Sequence, residues 1–479
     1  MSKKSYIAWG CGSLFILLNC FALMHEFLYV PYLSAVAVIL YLLIFKADWL
    51  IYLMAFVTPL SIEITDTKYD AGLSIPAEII MVLLTLLFFL RLLHDVRLER
   101  KIVFHPISIV IYIYLAWMLI TSITSEIPLV SFKYLASQVW FITACYFVVI
   151  QLIKSDLKKT VTFINCYALG LSVVILITTV KFALQGFSKH NMHWIMSPFY
   201  NDHTAYGAAI AFFIPLIMAL FIMDGKTTWK KTYYIIISVI LLLGFYLSYC
   251  RAAWLSIIVA FSVLAVLKLR IKLSWLVLGL ALLFSTFYYF SDDILYQMGK
   301  NTQDSSGEFL EHITSMSNIT TDASNVERLN RWNAAFGMIE DRPVMGWGPG
   351  TYQFVYAGYQ RAKYKTIITT NFGDGGNAHS EFIGPCAEMG IPGTILVLIL
   401  MITILYTGIK TYIRSSDKIP KTWSLFAVIA LVSYYVHGIM NNFLDTDKLS
   451  LPFWSVVAVI VVTDILSRGE ETKRPIKSS

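Results

Sequence analysis

Runs of about 18 or more consecutive apolar residues recur from one end of this chain to the other. A helix of that length crosses the roughly 30 Å hydrocarbon core of a bilayer, and in lipid every backbone N–H and C=O must find its partner inside the segment. Many such runs in one chain therefore specify a polytopic α-helical membrane protein. Barrel strands are excluded, because they alternate apolar and polar residues and these runs do not. Composition agrees: of 479 residues, 57% are hydrophobic and 14% charged, with a mean hydropathy of +0.67. A water-soluble fold of this size has no interior large enough for that much apolar surface.

The expected fold class is all-α with about 14 (12–14) spans. They fall at 6–24, 28–46, 48–64, 75–93, 106–124, 131–153, 160–184, 204–223, 233–250, 252–268, 272–290, 390–412, 421–441 and 449–467. Only Lys46, Ala47 and Asp48 separate the second and third. The connections alternate in charge. Lys3–Lys4, Lys46, RLLHDVRLERK (91–101), KSDLKK (154–159), DGKTTWKK (224–231), KLRIK (268–272), KTYIRSSDKIPK (410–421) and the tail 468–479 are basic. EITDTKYDAG (63–72), TSEIP (124–128), the 185–203 loop, the 291–389 segment and NNFLDTDK (441–448) are neutral or acidic. The positive-inside rule makes both termini cytoplasmic and turns the second set outward. The formal charge of +7 is then a topology signal rather than a nucleic-acid footprint. The first run lacks a small-residue cleavage site and reads as a start-anchor helix. The six cysteines form no CxxC pair and read as small core residues.

Four regions follow: spans in 1–200, core spans in 201–290, the long outer loop 291–389, and spans plus a cytoplasmic tail in 390–479. A hydrophilic segment that long carries function more often than it merely connects. Within it, helical periodicity covers 325–342, with Leu329, Trp332, Ala335, Phe336 and Ile339 as its apolar stripe and Pro343 as its stop. GWGPGTYQFVY then reads as a turn.

Chemistry-bearing residues collect on the outward side. Arg251, in SYCRAAWLS, sits in a tight turn at the lipid boundary, where it either snorkels, pairs structurally, or holds a lipid-borne phosphate with its planar fork. Arg328 and Arg331, three apart in ERLNRW, flank one edge of the loop helix and read either as solvated charges or as anion ligands. His379 stands where the loop re-enters the membrane. The positive end of the following helix disfavours imidazolium there, leaving a neutral ring able to accept a proton, or simply an interface histidine. Asn377 and Ser380 are candidate caps. Glu388 lies about 13 Å further along if the helix is continuous, and reads as structural more readily than catalytic. Pro392 and the glycines beside it suggest a break, with a short slanted helix over 380–390. Asn201 and His203, in NDH, precede a span and are candidates to line the same cavity and bind substrate. No acidic pair has a clear metal role, and there is no Walker motif, dinucleotide-binding glycine fingerprint or GxSxG, so neither a metal nor a nucleotide cofactor is expected.

Three motifs in order resemble the O-antigen ligase and polymerase superfamily of bacterial envelopes: CRAAW (250–254), RLNRW running into PVMGWGPGTYQF (328–354), and HSEFIGPCAEMG (379–390). The resemblance covers roughly residues 200–410. It implies a metal-independent membrane glycosyltransferase with one large periplasmic loop and a glycan donor on undecaprenyl diphosphate. It further implies that Arg251 and Arg328 hold the diphosphate and that His379 is the base on the acceptor hydroxyl. Family members commonly have twelve spans, so fourteen is a departure in the N-terminal part.

The residues themselves fit that chemistry. A sugar diphosphate is already activated, and transfer then needs cations on the leaving group and a base for a hydroxyl. The acceptor stays open between a lipid A-core sugar, another lipid-linked repeat and a protein hydroxyl, with the ligase-type reading slightly favoured. A transporter of lipid-linked sugar is the remote alternative, since it calls for mid-membrane charges and repeat symmetry that the chain lacks.

Overall fold

A computed structural model describes residues 13, 18–22, 24–27, 29–66, 71–94, 98–187, 192–272, 323–360 and 375–471. The expected span 272–290, most of 6–24, and residues 291–322 and 361–374 of the long loop lie outside the described residues.

Among the described residues, nine helices are long and apolar enough to cross a membrane: Pro106–Ile123, Pro128–Ile153, Lys158–Leu184, His203–Asp224, Thr228–Leu247, Arg251–Leu269, Ile383–Arg414, Lys418–Gly438 and Asp447–Gly469. The shorter helices Tyr29–Phe45, Ala47–Val57 and Ala77–Leu93 stand at three further expected spans. The protein is thus an all-α polytopic membrane protein. Its centre is the helix Asp447–Gly469, whose apolar window is 89% buried, packed against Lys418–Gly438, Ile383–Arg414 and the Pro128–Ile153 helix. Arg251–Leu269, with only 17% of its window buried, lies at the periphery.

One expected span is corrected. The 48–64 run is helical only to Val57, tightens through a 3-10 turn at Thr58–Leu60, and turns into a strand. Ile62–Asp66 pairs antiparallel with Ala71–Ile75, placing Ile62 opposite Ile75 and Asp66 opposite Ala71. Pro59 has no amide to continue the ladder. Carbonyls around this turn take side-chain donors: the Thr58 hydroxyl bonds Met54 O at 2.7 Å, and Lys448 Nζ reaches Thr58 O at 2.8 Å and Ser61 O at 2.6 Å.

The two sets of connections lie at opposite ends of the bundle. At the basic end, Lys154 pairs with Glu99 at 2.9 Å, Lys159 with Asp48 at 2.8 Å, and the buried Asp464 with His105 at 3.2 Å, Arg414 at 2.6 Å and Arg468 at 2.7 Å. At the other end, Asn201 meets Glu63 at 2.8 Å, Arg342 meets Glu126 at 2.6 Å, and Gln138 donates to Leu444 O at 3.1 Å.

Candidate active site

Helix Ala323–Asp341 lies at the second end and packs onto the start of Ile383–Arg414. Its buried face differs from the expected stripe. Leu329 and Phe336 are exposed, while Glu327, Asn330, Arg331, Ala334, Ala335 and Met338 are buried. The reason is an internal ion pair: Arg331 Nε donates to Glu327 Oε1 at 2.9 Å, one turn back, which lets a charged face go inward. Arg331, only 7% exposed, also donates from Nη1 to Asn377 O at 3.0 Å, and its backbone carbonyl accepts from Tyr352 Oη at 2.8 Å. Its guanidinium is therefore spent on holding the segment before His379.

That segment is an elbow. Gly375 and Gly376 have φ of +71° and +133°, and a Cβ on Gly376 would strike the Arg331 guanidinium. Only glycine fits both demands. Asn377 Oδ1 accepts from His379 N at 3.0 Å, and Ser380 Oγ accepts from Phe382 N and Ile383 N at 3.3 Å each. Asn377 and Ser380 thus cap the turn and the helix, as expected. His379 itself sits at φ +48°, a left-handed conformation that costs a non-glycine residue energy and that clusters at functional sites. Glu381 fixes the far side. Its N–H donates to Gly438 O at 2.8 Å, and its carboxylate accepts from Phe443 N at 2.8 Å, Leu444 N at 3.1 Å and the Tyr434 hydroxyl.

The next turn breaks. Ile383–Arg414 is two helices joined at Gly390, whose φ of +70° and ψ of 179° are non-helical, as the Gly–Pro pattern predicts. The freed groups are satisfied from outside: Trp347 N donates to Ala387 O at 3.1 Å, Gly348 N to Glu388 O at 2.7 Å, Trp117 Nε1 to Met389 O at 2.9 Å, and Ile391 N to Pro343 O at 2.8 Å. Unsatisfied backbone at membrane depth is prohibitive, so this clasp is what permits the break. Glu388 belongs to it. Its Oε1 accepts from Tyr352 N at 3.0 Å, and this is backbone stapling rather than a pair with a buried cation.

Electrostatics bring the distant segments together. His379 is held neutral, its pKa lowered to about 3 by burial first, then by Arg331 and Arg328, with Asp202 opposing. Burial and two guanidinium groups, rather than the end of the following helix, push this ring toward its neutral form. Asp202 caps His203–Asp224, accepting from Thr204 N at 2.8 Å and Ala205 N at 2.7 Å. The Cys250 thiol, pushed up to about 12 by burial, feels the same Asp202 and Arg328. Cys250 immediately precedes Arg251, the first residue of its helix. Asp202, Cys250, Arg328 and His379 therefore share one neighbourhood, with Arg251 and His203 half-buried at its edge. Asn201 is turned to Glu63 on the hairpin instead.

Sequence reading missed Asp202, Glu381 and the buried His437. Asp202 stands between Asn201 and His203, and Glu381 follows His379 and Ser380; the signal for both is position beside a helix start. His437, at the end of an apolar run, offered no such signal. Among the described residues, no group of three or more His, Cys, Asp or Glu is placed to hold a metal ion. The arrangement can hold an anion on guanidinium groups beside an imidazole free to take a proton.

No curated protein matches the chain. Residues 236–398 match the family model described as O-antigen ligase, a stretch that contains Arg251, Arg328, Arg331, Asn377, His379 and Glu388. The chain is therefore a multi-pass membrane protein, and its residues 236–398 are similar to the O-antigen ligase family.

Proposed function

We propose that the protein moves a glycan from undecaprenyl diphosphate to an acceptor hydroxyl at the periplasmic face of the bacterial inner membrane. The alternation of basic and non-basic connections supports about fourteen spans, both termini in the cytoplasm and residues 291–389 outside. Arg251 and Arg328 neutralise the departing diphosphate, and neutral His379 removes the proton from the attacking alcohol. Arg331 and Asn377 act on the reaction by aiming His379. Glu388 does so by holding the glycine clasp beneath it. His203 and Asp202 border the cavity. No metal enters this scheme. What supports the reading is an imidazole held in the left-handed elbow at φ +48° and within electrostatic reach of Arg331 and Arg328, inside the stretch that resembles O-antigen ligases.

The ligase-type acceptor, a lipid A-core sugar, is preferred. A lipid-linked repeat (polymerase) or a protein hydroxyl remains the alternative within the class, and transport of the lipid-linked sugar is the remote one. The test uses purified protein in detergent with lipid-linked glycan and each acceptor. Wild type forms product with one acceptor. His379→Ala folds and loses transfer by about 10²–10⁴-fold. Arg251→Lys is also severely impaired, because an ammonium cannot reproduce the guanidinium fork. Full transfer by His379→Ala, or no product from wild type with any acceptor, rules the mechanism out.

A further inference from the structure

The last turn of Lys418–Gly438 carries a second imidazole that the scheme above leaves idle. His437 is 1% exposed. Its Nε2 lies 3.2 Å from Asn441 Nδ2, and its ring lies against Phe443 with centroids 5.6 Å apart. An amide Nδ2 only donates, so Nε2 is the bare nitrogen and the proton sits on Nδ1. Among the described residues, nothing accepts a hydrogen bond from that Nδ1. A buried N–H left without an acceptor is costly, and a water, an ion or a ligand oxygen is what would satisfy it.

The location is specific. The Glu381 amide on Gly438 O at 2.8 Å binds the elbow carrying His379 to the turn carrying His437. The Glu381 carboxylate fastens the same elbow to Phe443, against which the His437 ring rests. The charges of Arg328 and Asp202 reach both imidazoles. Asp202 Oδ1 is already engaged by the amides of Thr204 and Ala205. The anion that Arg328 attracts would bring fresh acceptor oxygens.

We propose that His437 is a further binding residue of this site, its Nδ1–H donating to a phosphate oxygen of the lipid diphosphate held at Arg328. A neutral N–H adds a directed bond to the diphosphate without placing another cation beside His379. The inference rests on the glycan-donor reading above and adds a contact to it.

Asn and Gln separate the two nitrogens. Asparagine puts its amide nitrogen near the place of Nδ1, and glutamine puts its own near Nε2. Purified wild type, His437→Asn, His437→Gln and His437→Phe are titrated with undecaprenyl diphosphate in detergent, and each is checked by thermal unfolding. His437→Asn is expected to bind within about threefold of wild type, while His437→Gln and His437→Phe weaken by about tenfold or more. Equal affinity in all four proteins, equal losses in all three variants, or retention by Gln and not Asn overturns the proposal. Should the variants fail to fold, wild type labelled with 15N-histidine decides. The His437 Nδ1–H resonance shifts on saturation with undecaprenyl diphosphate, and an unmoved resonance sinks the proposal. A wild type that does not bind undecaprenyl diphosphate removes the glycan-donor reading and this one with it. A wild type that binds and transfers, with indifferent variants, removes only this one.

Discussion

A base that takes a proton from an alcohol has to be unprotonated before the alcohol arrives. His379 meets that condition through burial and the two arginines of the loop helix, which lower its pKa from 6.5 to about 3. Between those values the unfolded chain binds a proton that the folded chain does not. This group's contribution to stability is therefore full above about pH 6.5 and fades as pH falls toward about 3. For kcat/KM the acid limb in wild type is expected well below 6.5, the value of an ordinary histidine. Arg328→Gln moves that limb up and Asp202→Asn moves it down, measured as pH profiles of transfer. A wild-type limb at the free-imidazole value, unmoved by Arg328→Gln, contradicts the electrostatic account. The sequence disclosed His379, Arg251 and Arg328 because cations and imidazole are conspicuous at a membrane boundary. It hid the division of labour between Arg328 and Arg331, since both read as edge charges until Glu327 is seen to bury one of them.

The break in Ile383–Arg414 was legible because Gly390 and Pro392 are local signals, acting on their own backbone. The inward face of Ala323–Asp341 was not legible. Periodicity counts apolar residues, and this helix buries Glu327, Asn330 and Arg331 while exposing Leu329 and Phe336. The hairpin at Ile62–Ile75 escaped for a similar reason, because its strand continues an apolar run without a change of composition. The glycine clasp gives a prediction at this scale. Gly348 has φ +110°, and a Cβ there would collide with the Ser125 and Ser131 side chains. Gly348→Ala is expected to cost about 1–3 kcal/mol in backbone strain, before the overlap is relieved. It should lower the unfolding temperature in detergent and expose the 323–360 segment to protease. Gly358→Ala, with open space around it and an ordinary φ, serves as the silent control. Equal stability of the two variants argues against the clasp.

Across the whole molecule the two ends of the bundle have different chemistry, and the charge alternation of the connections anticipated it. At the basic end, Asp464 is 1% exposed and ties together His105, Thr411, Arg414 and Arg468 from two helices and the start of a third. Asp464→Ala strands buried donors and is expected to cost about 3–5 kcal/mol, read as thermal unfolding in detergent. Its effect on transfer per folded molecule should be small, since the site is at the other end. Sidedness is checked by labelling intact cells with a membrane-impermeant maleimide over the native cysteine background. Glu340→Cys, on the loop helix, is expected to react, and Lys226→Cys, in a basic connection, is not. The opposite pattern inverts the topology. The loop helix carries one further implication. Arg328 and Arg331 sit three residues apart on one helix, the first assigned in the proposed reaction to the lipid diphosphate and the second donating to the carbonyl of Asn377. If the proposed reaction holds, a diphosphate drawn to Arg328 pulls on the same helix that anchors the elbow of His379, and lipid binding would ready the base before the alcohol enters.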